Sequence, residues 1–419
     1  MVHTSPITIG YFQPSKNDVK YFNQVLFSLL PLLKVHGKIK LQLSKINDHK
    51  ESEGSTKQYW KYLDQVYMAD MKTLVSEPIF FEGNRVFRIY TGGKLLGDFI
   101  GGDNTDGYYP EEWVASAVAA LNRDAGPNDG ISVIRGTDVL LTDLLAAERE
   151  RVLGDRKEFG VLIKYLDSAV RLPVQAHPDK AYSRRHLNSD YGKTEVWLVL
   201  GTREGAGIYF GFNREITMEE LRKAVEASDT DREAMAGLMQ FVPVQAGDLY
   251  FVPAGMPHAI CAGCLILEVQ EPTDFTIQPE AWCAEYQLNE YEKYLGLPPE
   301  TAWECFDFSA WGERAIARGK KTPTTVTDTG GWRLEVLIGP DDTDCFGMRR
   351  HTVNAGRSGA LAAPAIYVVI GGAGTLRMGE KAWEVRRGDY FCLPYSTDGK
   401  CAISAEGEVV FLECLPPIK

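Results

Sequence analysis

The stretch Gly247-Asp-Leu-Tyr-Phe-Val-Pro253 recurs further along the chain as Gly388-Asp-Tyr-Phe-Cys-Leu-Pro394. In each copy a Gly-Asp turn leads into a short apolar strand that ends at a proline, which cannot donate a hydrogen bond to a sheet ladder. The repeat predicts two β units built on one plan. The first copy continues as Ala254-Gly255-Met256-Pro257-His258, whereas the second continues as Tyr395-Ser396-Thr397-Asp398. Because only the first has a histidine after its turn, only the first unit is expected to hold a metal.

The sequence around the first copy is typical of a β-sandwich or barrel. Short runs rich in β-branched and aromatic residues are separated by turn residues, and they span Val86–Tyr90, Ile131–Ile134, Val161–Tyr165, Val196–Leu200 and Ile208–Phe212. A helix is predicted to interrupt them at Thr217–Met239, where Thr217 and Glu220 have the spacing of a capping box. Further helices are predicted at Glu111–Leu121 and Thr142–Leu153. The expected fold class is therefore mainly β, with two barrels, a helical insertion and flanking helices.

Composition and charge exclude several classes of protein. The 419 residues carry a formal net charge of −12, which repels nucleic-acid phosphates and anionic lipid surfaces alike. The apolar run at residues 22–33 contains a proline and is shorter than the roughly 20 residues of a membrane span. The eight cysteines are scattered, which is typical of reduced thiols. We expect a cytoplasmic protein that binds neither nucleic acid nor a membrane.

An abrupt change in basic residues marks a domain boundary. Residues 1–75 contain ten lysines and no arginine, and beyond them the sequence turns strand-like and rich in arginine. We predict an N-terminal extension of unknown role at 1–75 and a metal-binding catalytic domain at 76–300, with a helical insert at about 217–240. A second, degenerate domain is predicted at 301–419.

Four potential metal ligands lie in the first unit. Gln175 and His177 are two residues apart, so a strand points both to the same face, and Lys193 and Glu195 repeat this spacing. His258 follows a tight Pro-Ala-Gly turn that would fix its ring at one end of the sheet. Two imidazoles, a carboxylate and an amide oxygen suit Zn²⁺ or a similar divalent metal, with one ion expected per chain.

Four motifs in chain order resemble class I mannose-6-phosphate isomerases, a family with the cupin fold. They are Gln175-x-His177-Pro178-Asp179-Lys180, Lys193-x-Glu195, Gly247-x5-Pro253-x-Gly255-x2-His258 and Leu267-Glu268-x7-Thr276. The resemblance implies two cupin-type (jelly-roll) barrels and a zinc site formed by the four ligands. It also implies that Lys193 and Asp274 lie beside the substrate. Lys180 and Glu271 are further candidates for substrate binding.

The sequence departs from the family pattern at two positions. Family members have an essential arginine ten residues after Glu268, where this chain has Gln278. A small hydroxyl residue that helps to hold the substrate phosphate usually stands where this chain has Pro173. The arginine guanidinium can bind a phosphate through two hydrogen bonds, and the hydroxyl can donate one to it. The absence of both groups weakens the case that the substrate is a phosphorylated sugar.

Aldose–ketose isomerisation moves a proton between adjacent carbons through an enediolate. A Lewis-acid metal can stabilise the charge that develops on the two oxygens. The sequence offers three candidates for the base, namely Lys193, Glu271 and Asp274, and the spacing does not choose among them.

Three functions fit a metal-binding barrel. The first is an isomerase acting on mannose 6-phosphate or a related sugar, which Lys193 favours because a binding module has little need of a base. The second is a non-catalytic sugar-binding or regulatory cupin, which Gln278 favours. The third is a metal-dependent oxygenase, which the amide ligand Gln175 disfavours. The expected partner is a small sugar or sugar phosphate, and a homo-oligomer is left open.

Overall fold

β-Strands dominate the part of the chain that the structure, a computed structural model, describes, which is residues 71–122 and 125–416. All of these residues belong to one compact unit. None of the helices among them is both long enough and apolar enough to cross a membrane. The predicted extension at 1–75 lies almost wholly outside the described residues.

The strands are numbered along the chain. They are β1 (Ile79–Phe80), β2 (Arg85–Val86), β3 (Glu111–Val114), β4 (Leu162–Ser168), β5 (Glu195–Thr202), β6 (Gly207–Phe212), β7 (Met239–Pro243), β8 (Leu249–Val252), β9 (His258–Ile260), β10 (Cys264–Gln270), β11 (Trp282–Cys283), β12 (Tyr286–Gln287), β13 (Lys320–Lys321), β14 (Thr324–Asp328), β15 (Trp332–Ile338), β16 (Gly347–Val353), β17 (Ser358–Ala360), β18 (Ala365–Met378), β19 (Lys381–Arg386), β20 (Tyr390–Leu393), β21 (Ala402–Ser404) and β22 (Val409–Leu415).

Seven helices connect or flank these strands. They are α1 (Lys94–Ile100), α2 (Leu141–Leu153), α3 (Lys180–His186), α4 (Met218–Ala227), α5 (Glu290–Tyr294), α6 (Pro299–Trp303) and α7 (Gly312–Gly319). Short 3₁₀ turns span Ala236–Leu238 and Tyr395–Thr397, and residues 71–74 are helical as well.

Apart from β11 and β12, which pair with each other in a two-stranded sheet, the strands form the two β units that the repeat predicts. In the first unit, a seven-stranded sheet with the order β13-β8-β5-β10-β4-β3-β2 accompanies a three-stranded sheet with the order β7-β6-β9. In the second unit, one ten-stranded sheet has the path β1-β20-β18-β22-β16-β15-β14, with β17, β19 and β21 branching from it. The mainly β, cupin-type fold class is confirmed, although the sheets of the described residues do not form a closed barrel.

The repeated turn has the same backbone structure in both units. Gly247 and Gly388 have φ angles of 95° and 94°. The amide of Gly247 donates to the carbonyl of Val199 at 2.8 Å, and the amide of Gly388 donates to Val369 at 2.9 Å. A positive φ is accessible to glycine at little cost, which explains why both copies begin with it. The two copies of the repeat therefore share a backbone conformation as well as a sequence pattern.

One apolar core joins the two units. It contains Ile163, Val196 and Leu267 from the first unit, and Ile366 and Leu412 from the second, all at most 1% exposed. The inner faces of two sheets thus pack against each other, as in β-sandwiches. The domain boundaries at 76, 300 and 301 stay a prediction.

Several local predictions are confirmed. Val161–Tyr165, Val196–Leu200 and Ile208–Phe212 fall in β4, β5 and β6, and Thr142–Leu153 falls in α2. In the insert, Thr217 and Glu220 form the predicted capping box.

Other local predictions are wrong in extent or type. Helix α4 ends at Ala227 because Ser228 turns its hydroxyl back onto the carbonyl of Val225, and a strand begins at Met239. The predicted helix at Glu111–Leu121 begins instead with strand β3. Its residues are buried on both faces between β2 and β4, so the alternation that distinguishes a strand is missing.

The two glycines of the repeat provide a matched test of packing. A Cβ at residue 247 would meet no atom within 4 Å, whereas a Cβ at residue 388 would lie 2.7 Å from the Cα of Ile100. We expect Gly247→Ala to cost about 1–2 kcal/mol through backbone strain alone. Gly388→Ala should cost ~1–3 kcal/mol more, because the clash is with backbone. Urea unfolding of both variants measures the difference, and equal losses would contradict the tight contact.

Candidate metal centre

Backbone pairing brings three distant parts of the chain together. The amide of Gln175 donates to the carbonyl of His258 at 2.9 Å, and the amide of His258 donates back to Gln175 at the same distance. On the other side, Ala176 and Ile277 pair in the same reciprocal way. His177, at the end of this segment, therefore lies beside His258.

Three buried residues form a cluster that can hold a metal. The candidate ligand atoms of His177, Glu195 and His258 lie within 4.8 Å of one another, and each residue is at most 2% exposed. The Nε2 atoms of the two histidines are each 3.4 Å from a different oxygen of Glu195. Among the described residues, this is the one group of His, Cys, Asp and Glu side chains that meets the geometric requirement.

The hydrogen bonds of the two histidines fix their tautomers. The Nδ1 atom of His177 lies 3.0 Å from the carbonyl oxygen of Phe275, and that of His258 lies 2.8 Å from the carbonyl of Met256. A carbonyl oxygen can only accept, so Nδ1 carries the proton in both rings. The lone pairs on Nε2 consequently point toward Glu195, as metal ligation requires.

The electrostatics keep these residues in the protonation states of metal ligands. Burial lowers the pKa of His177, and the ammonium of Lys193 lowers it further. Burial also lowers the pKa of His258 to about 3. Burial opposes ionisation of Glu195, but the charge of Lys193 outweighs it and holds its pKa below the usual range. Two neutral imidazoles and a carboxylate are thus present at neutral pH.

The unsatisfied atoms of the cluster also fit a cation. Glu195 Oε2 is buried and makes no well-formed hydrogen bond, and the ammonium of Lys193, 3.1 Å away, is the cation beside it. A buried carboxylate oxygen of this kind can also take a metal ion as its partner. The side-chain amide NH₂ of Gln175 donates to the carbonyl of Pro173 at 3.3 Å, so the side-chain amide oxygen is the atom that could bind a metal. The site therefore suits a divalent metal with mixed nitrogen and oxygen ligands.

The cluster lies in a cavity of about 580 Å³. The four predicted ligands line this cavity, together with the predicted catalytic residues Lys193, Asp274 and Gln278. The Nζ atom of Lys193 is 2.9 Å from Nε2 of His177 and 3.1 Å from Oε2 of Glu195. Gln278 donates its side-chain amide to the carbonyl of Glu292 at 3.0 Å.

The two predicted substrate-binding residues lie elsewhere. Lys180 and Glu271 are not among the lining residues. Glu271 accepts hydrogen bonds from the amides of Gly192 and Thr194 at 3.2 and 3.0 Å, so it braces the backbone on either side of Lys193. Lys180 has its Nζ atom 3.1 Å from Asp344. The structure does not bring either of them to the cavity.

The sequence analysis missed a buried charge network on the cavity wall. Arg88 forms a bidentate contact with Asp274 at 2.9 and 3.0 Å, and its Nε atom is 3.0 Å from Glu111. Lys164 lies 3.6 Å from both Glu268 and Asp274, and it faces Glu268 directly across β4 and β10. The sequence did contain a signal for this network, since Lys164 and Glu268 are charged residues within largely apolar strands. Such residues are rarely buried without a partner.

The network gives two carboxylates of the cavity different pKa values. Burial and the nearby charge of Glu195 raise the pKa of Glu268 to about 7, although Lys164 opposes this shift. For Asp274, the charges of Arg88 and Lys164 outweigh the effect of burial and hold the pKa well below its usual range. Asp274 is therefore a permanent anion, whereas Glu268 can exchange a proton near neutral pH.

A two-sheet β unit with a buried site for a divalent metal defines a metal-binding cupin. The chain is 31% identical over 329 residues to the mannose-6-phosphate isomerase of Streptococcus mutans, which covers 76% of this chain and 93% of the relative. No family model matches the sequence. Identity and coverage at this level show that the chain belongs to the mannose-6-phosphate isomerase family.

Solved structures agree with this assignment at the level of the fold. The crystal structure of the Bacillus subtilis mannose 6-phosphate isomerase superimposes with a TM-score of 0.62 at 23% identity, over 80% of this chain and 99% of the other. A mannose 6-phosphate isomerase bound with zinc and yttrium gives a TM-score of 0.60 at 15% identity, over 81% and 100%.

Metal content provides a direct test of the cluster. We expect the purified protein to hold one divalent metal per chain and His258→Ala to lose most of it, because one of the two imidazoles is gone. His351→Ala in the second unit is the matched control and should keep the full content. Elemental analysis of the folded variants decides the matter, and two tightly held ions per wild-type chain would contradict the prediction.

Proposed function

We propose that this protein interconverts mannose 6-phosphate and fructose 6-phosphate, or a closely related aldose and ketose, at one zinc ion. The observation that carries the proposal is the buried cluster of His177, Glu195 and His258 in a cavity that Lys193 also lines. A Lewis acid and a proton-transfer group in one water-restricted cavity are what an enediolate reaction needs. Membership of the mannose-6-phosphate isomerase family supports this choice over a non-catalytic sugar-binding protein.

The ligands of the proposed zinc ion are His177, Glu195, His258 and the amide oxygen of Gln175. When bound, the ion would polarise the carbonyl and hydroxyl oxygens of the sugar and stabilise the charge of the enediolate. Zinc accepts this mixture of nitrogen and oxygen ligands, and a structural relative carries zinc.

We assign the proton transfer between C1 and C2 to Glu268. A general base needs an acceptor atom that faces the substrate. Glu268 lines the cavity and its Oε1 atom is buried without a hydrogen bond, whereas both oxygens of Asp274 are held by Arg88. Glu271, a candidate from the sequence, lies outside the lining residues. The transferred proton would leave one carbon of the bound sugar for the carboxylate of Glu268 and return to the adjacent carbon from the same group.

Lys193 and Asp274 have complementary parts in this proposal. The Lys193 ammonium would donate a hydrogen bond to the sugar oxygens as they gain charge, because its Nζ atom already lies among the ligand atoms. Asp274 is held in place by Arg88 and also accepts a hydrogen bond from the amide of Leu121 at 3.1 Å. It is therefore an oriented acceptor for a sugar hydroxyl.

The second unit has no comparable role in catalysis. His351 accepts a hydrogen bond from Trp332 at 3.2 Å through Nδ1, and its Nε2 atom lies 3.1 Å from Glu413. Both ring nitrogens are thus engaged with protein groups, which supports a degenerate, metal-free domain at 301–419. A cytoplasmic location and the oligomeric state stay predictions.

The roles assigned to Glu268 and Lys193 can be tested by substitution. We expect Glu268→Gln and Lys193→Ala each to lower kcat for mannose 6-phosphate by ~10²–10⁴-fold, with metal content unchanged. Lys223→Ala, a solvent-exposed lysine on α4, is the control. In the wild type, activity should fall as the pH drops through the pKa of Glu268, because only the ionised carboxylate accepts a proton. A Glu268→Gln variant with normal turnover would exclude this base.

Gln278 provides a separate test of the substrate. Its amide can donate a hydrogen bond but cannot neutralise the charge of the enediolate, so Gln278→Arg should raise turnover on mannose 6-phosphate by ~10-fold or more, equivalent to ~1.4 kcal/mol of transition-state stabilisation. The measurement is kcat on mannose 6-phosphate and on free mannose. A decrease on the phosphorylated sugar would show that the site is built around an amide for an unphosphorylated one.

A further inference from the structure

Exposed aromatic side chains are concentrated at the mouth of the metal cavity. Nine large apolar side chains are exposed in the described part of the chain, and Phe87, Leu121 and Tyr291 among them line this cavity at 41%, 46% and 59% exposure. Tyr108 and Tyr109, at 50% and 58%, each have their ring centroid 5.8 Å from that of Phe87. We call Phe87, Tyr108, Tyr109 and Tyr291 the aromatic rim.

The backbone holds one side of the aromatic rim in place. The amide of Arg88 donates to the carbonyl of Tyr108 at 2.9 Å, and the side chain of Asn122 donates to the carbonyl of Phe87 at 2.5 Å. Because Arg88 is itself anchored by its bidentate contact with Asp274, Phe87 is fixed directly above the cavity wall. A preorganised apolar surface that remains exposed is typical of a binding site.

The polar groups at the mouth indicate the chemistry of the ligand. Asn122, Asn289 and Glu292 line the cavity together with Phe87 and Tyr291, so amide and carboxylate residues accompany the aromatic ones there. A sugar ring offers the matching surface, since it has an apolar C–H face and hydroxyls around its edge. Aromatic and polar groups in this combination therefore suit a carbohydrate.

The cationic side chains of the cavity are engaged with carboxylates of the protein. Three cationic side chains are found among the described lining residues, and each is already close to a carboxylate. Arg88 contacts Asp274, Lys164 lies 3.6 Å from Glu268, and Lys193 lies 3.1 Å from Glu195. A second, uncharged sugar ring would leave these ion pairs intact.

The size of the cavity leaves room for such an extension. Its volume of about 580 Å³ lies within the range of pockets that enclose drug-sized ligands. A single aldose held at the metal cluster would fill only the deep part, near His177 and His258.

We propose that the aromatic rim is a binding subsite for a second sugar ring, so that the cavity accepts a disaccharide whose reducing-end aldose reaches the metal cluster. This inference rests on the proposed function for the position of the reducing end. The second ring would stack on Phe87 and contact Tyr291, while the remaining side-chain amide hydrogens of Asn122 and Asn289 donate to its hydroxyls. No further chemical step is implied, because the added ring stays attached throughout.

The test compares mannose with 1,4- and 1,6-linked mannobiose as competitive inhibitors of mannose 6-phosphate isomerisation by the zinc-loaded protein. All three competitors are unphosphorylated, so any difference comes from the second ring. We expect the inhibition constant of at least one mannobiose to be ~10-fold lower than that of mannose. Phe87→Ala and Tyr291→Ala should each reduce this ratio to about 2. Phe241→Ala, an aromatic residue with 50% exposure that does not line the cavity, should preserve the ratio.

Several outcomes would overturn the proposal. Equal inhibition by mannose and both disaccharides would exclude the subsite, and so would a Phe87→Ala variant that weakens mannose and mannobiose equally. A ratio that also falls in Phe241→Ala would show a general effect on the fold. Should Phe87→Ala fail to fold, Phe87→Leu removes the flat ring and must give the same reduction.

Direct binding separates this proposal from the proposed function. If the wild type does not isomerise mannose 6-phosphate, isothermal titration of the zinc-loaded protein with mannose and with the mannobioses still measures the contribution of the second ring. Tighter binding of a disaccharide without turnover would reject the isomerase and keep the subsite. Turnover of mannose 6-phosphate without any preference for a disaccharide would keep the isomerase and reject the subsite. Oligomer formation lost in Phe87→Ala, without such a preference, would instead identify the aromatic rim as an interface between copies.

Discussion

The site depends on two pairs of backbone hydrogen bonds on either side of one short segment. Gln175 pairs with His258, and Ala176 pairs with Ile277, so the segment that carries two ligands is fixed between two other parts of the chain. Side chains alone could not achieve this placement, because their rotamers offer several positions of similar energy. Once the backbone is fixed, His177 and His258 can only converge on Glu195 at the start of β5.

The charged wall of the cavity constrains the site in a different way. Arg88 and Lys164 both lie against the ring of Trp113, at 5.2 and 5.0 Å from its centroid, and the indole N–H donates to Glu111 at 2.6 Å. Removing one member of such a buried set leaves another charge uncompensated, which typically costs about 3–5 kcal/mol. The network therefore fixes Asp274 and sets the proton affinity of Glu268 together, so the two carboxylates have different chemical properties within one cavity.

The sequence predicted the parts of the site that follow from local geometry. The metal ligands are separated by two residues or fixed by a tight turn, and such spacing is visible without a structure. Lys164 and Glu268 are adjacent only across two strands, so their pairing depends on the sheet register. Lys180 and Glu271 were assigned to the substrate from their positions in motifs, but tertiary packing directs them to Asp344 and to the backbone beside Lys193. The helix predicted at Glu111–Leu121 was wrong because a strand that is buried on both faces lacks the period of two.

The two units show how the same arrangement of strands can hold either a candidate metal site or an apolar core. Both begin the repeated strand with glycine at a positive φ, and both sheets contribute to the shared apolar core. In the first unit, His258 follows this strand and its Nε2 atom lies 3.4 Å from Oε1 of Glu195 in the candidate metal site. In the second unit, His351 stacks on Phe411 at 4.8 Å and uses both nitrogens within the protein. Since the second unit covers apolar surface of the first, its sheet can be retained for packing while its interior is free of any requirement to bind metal.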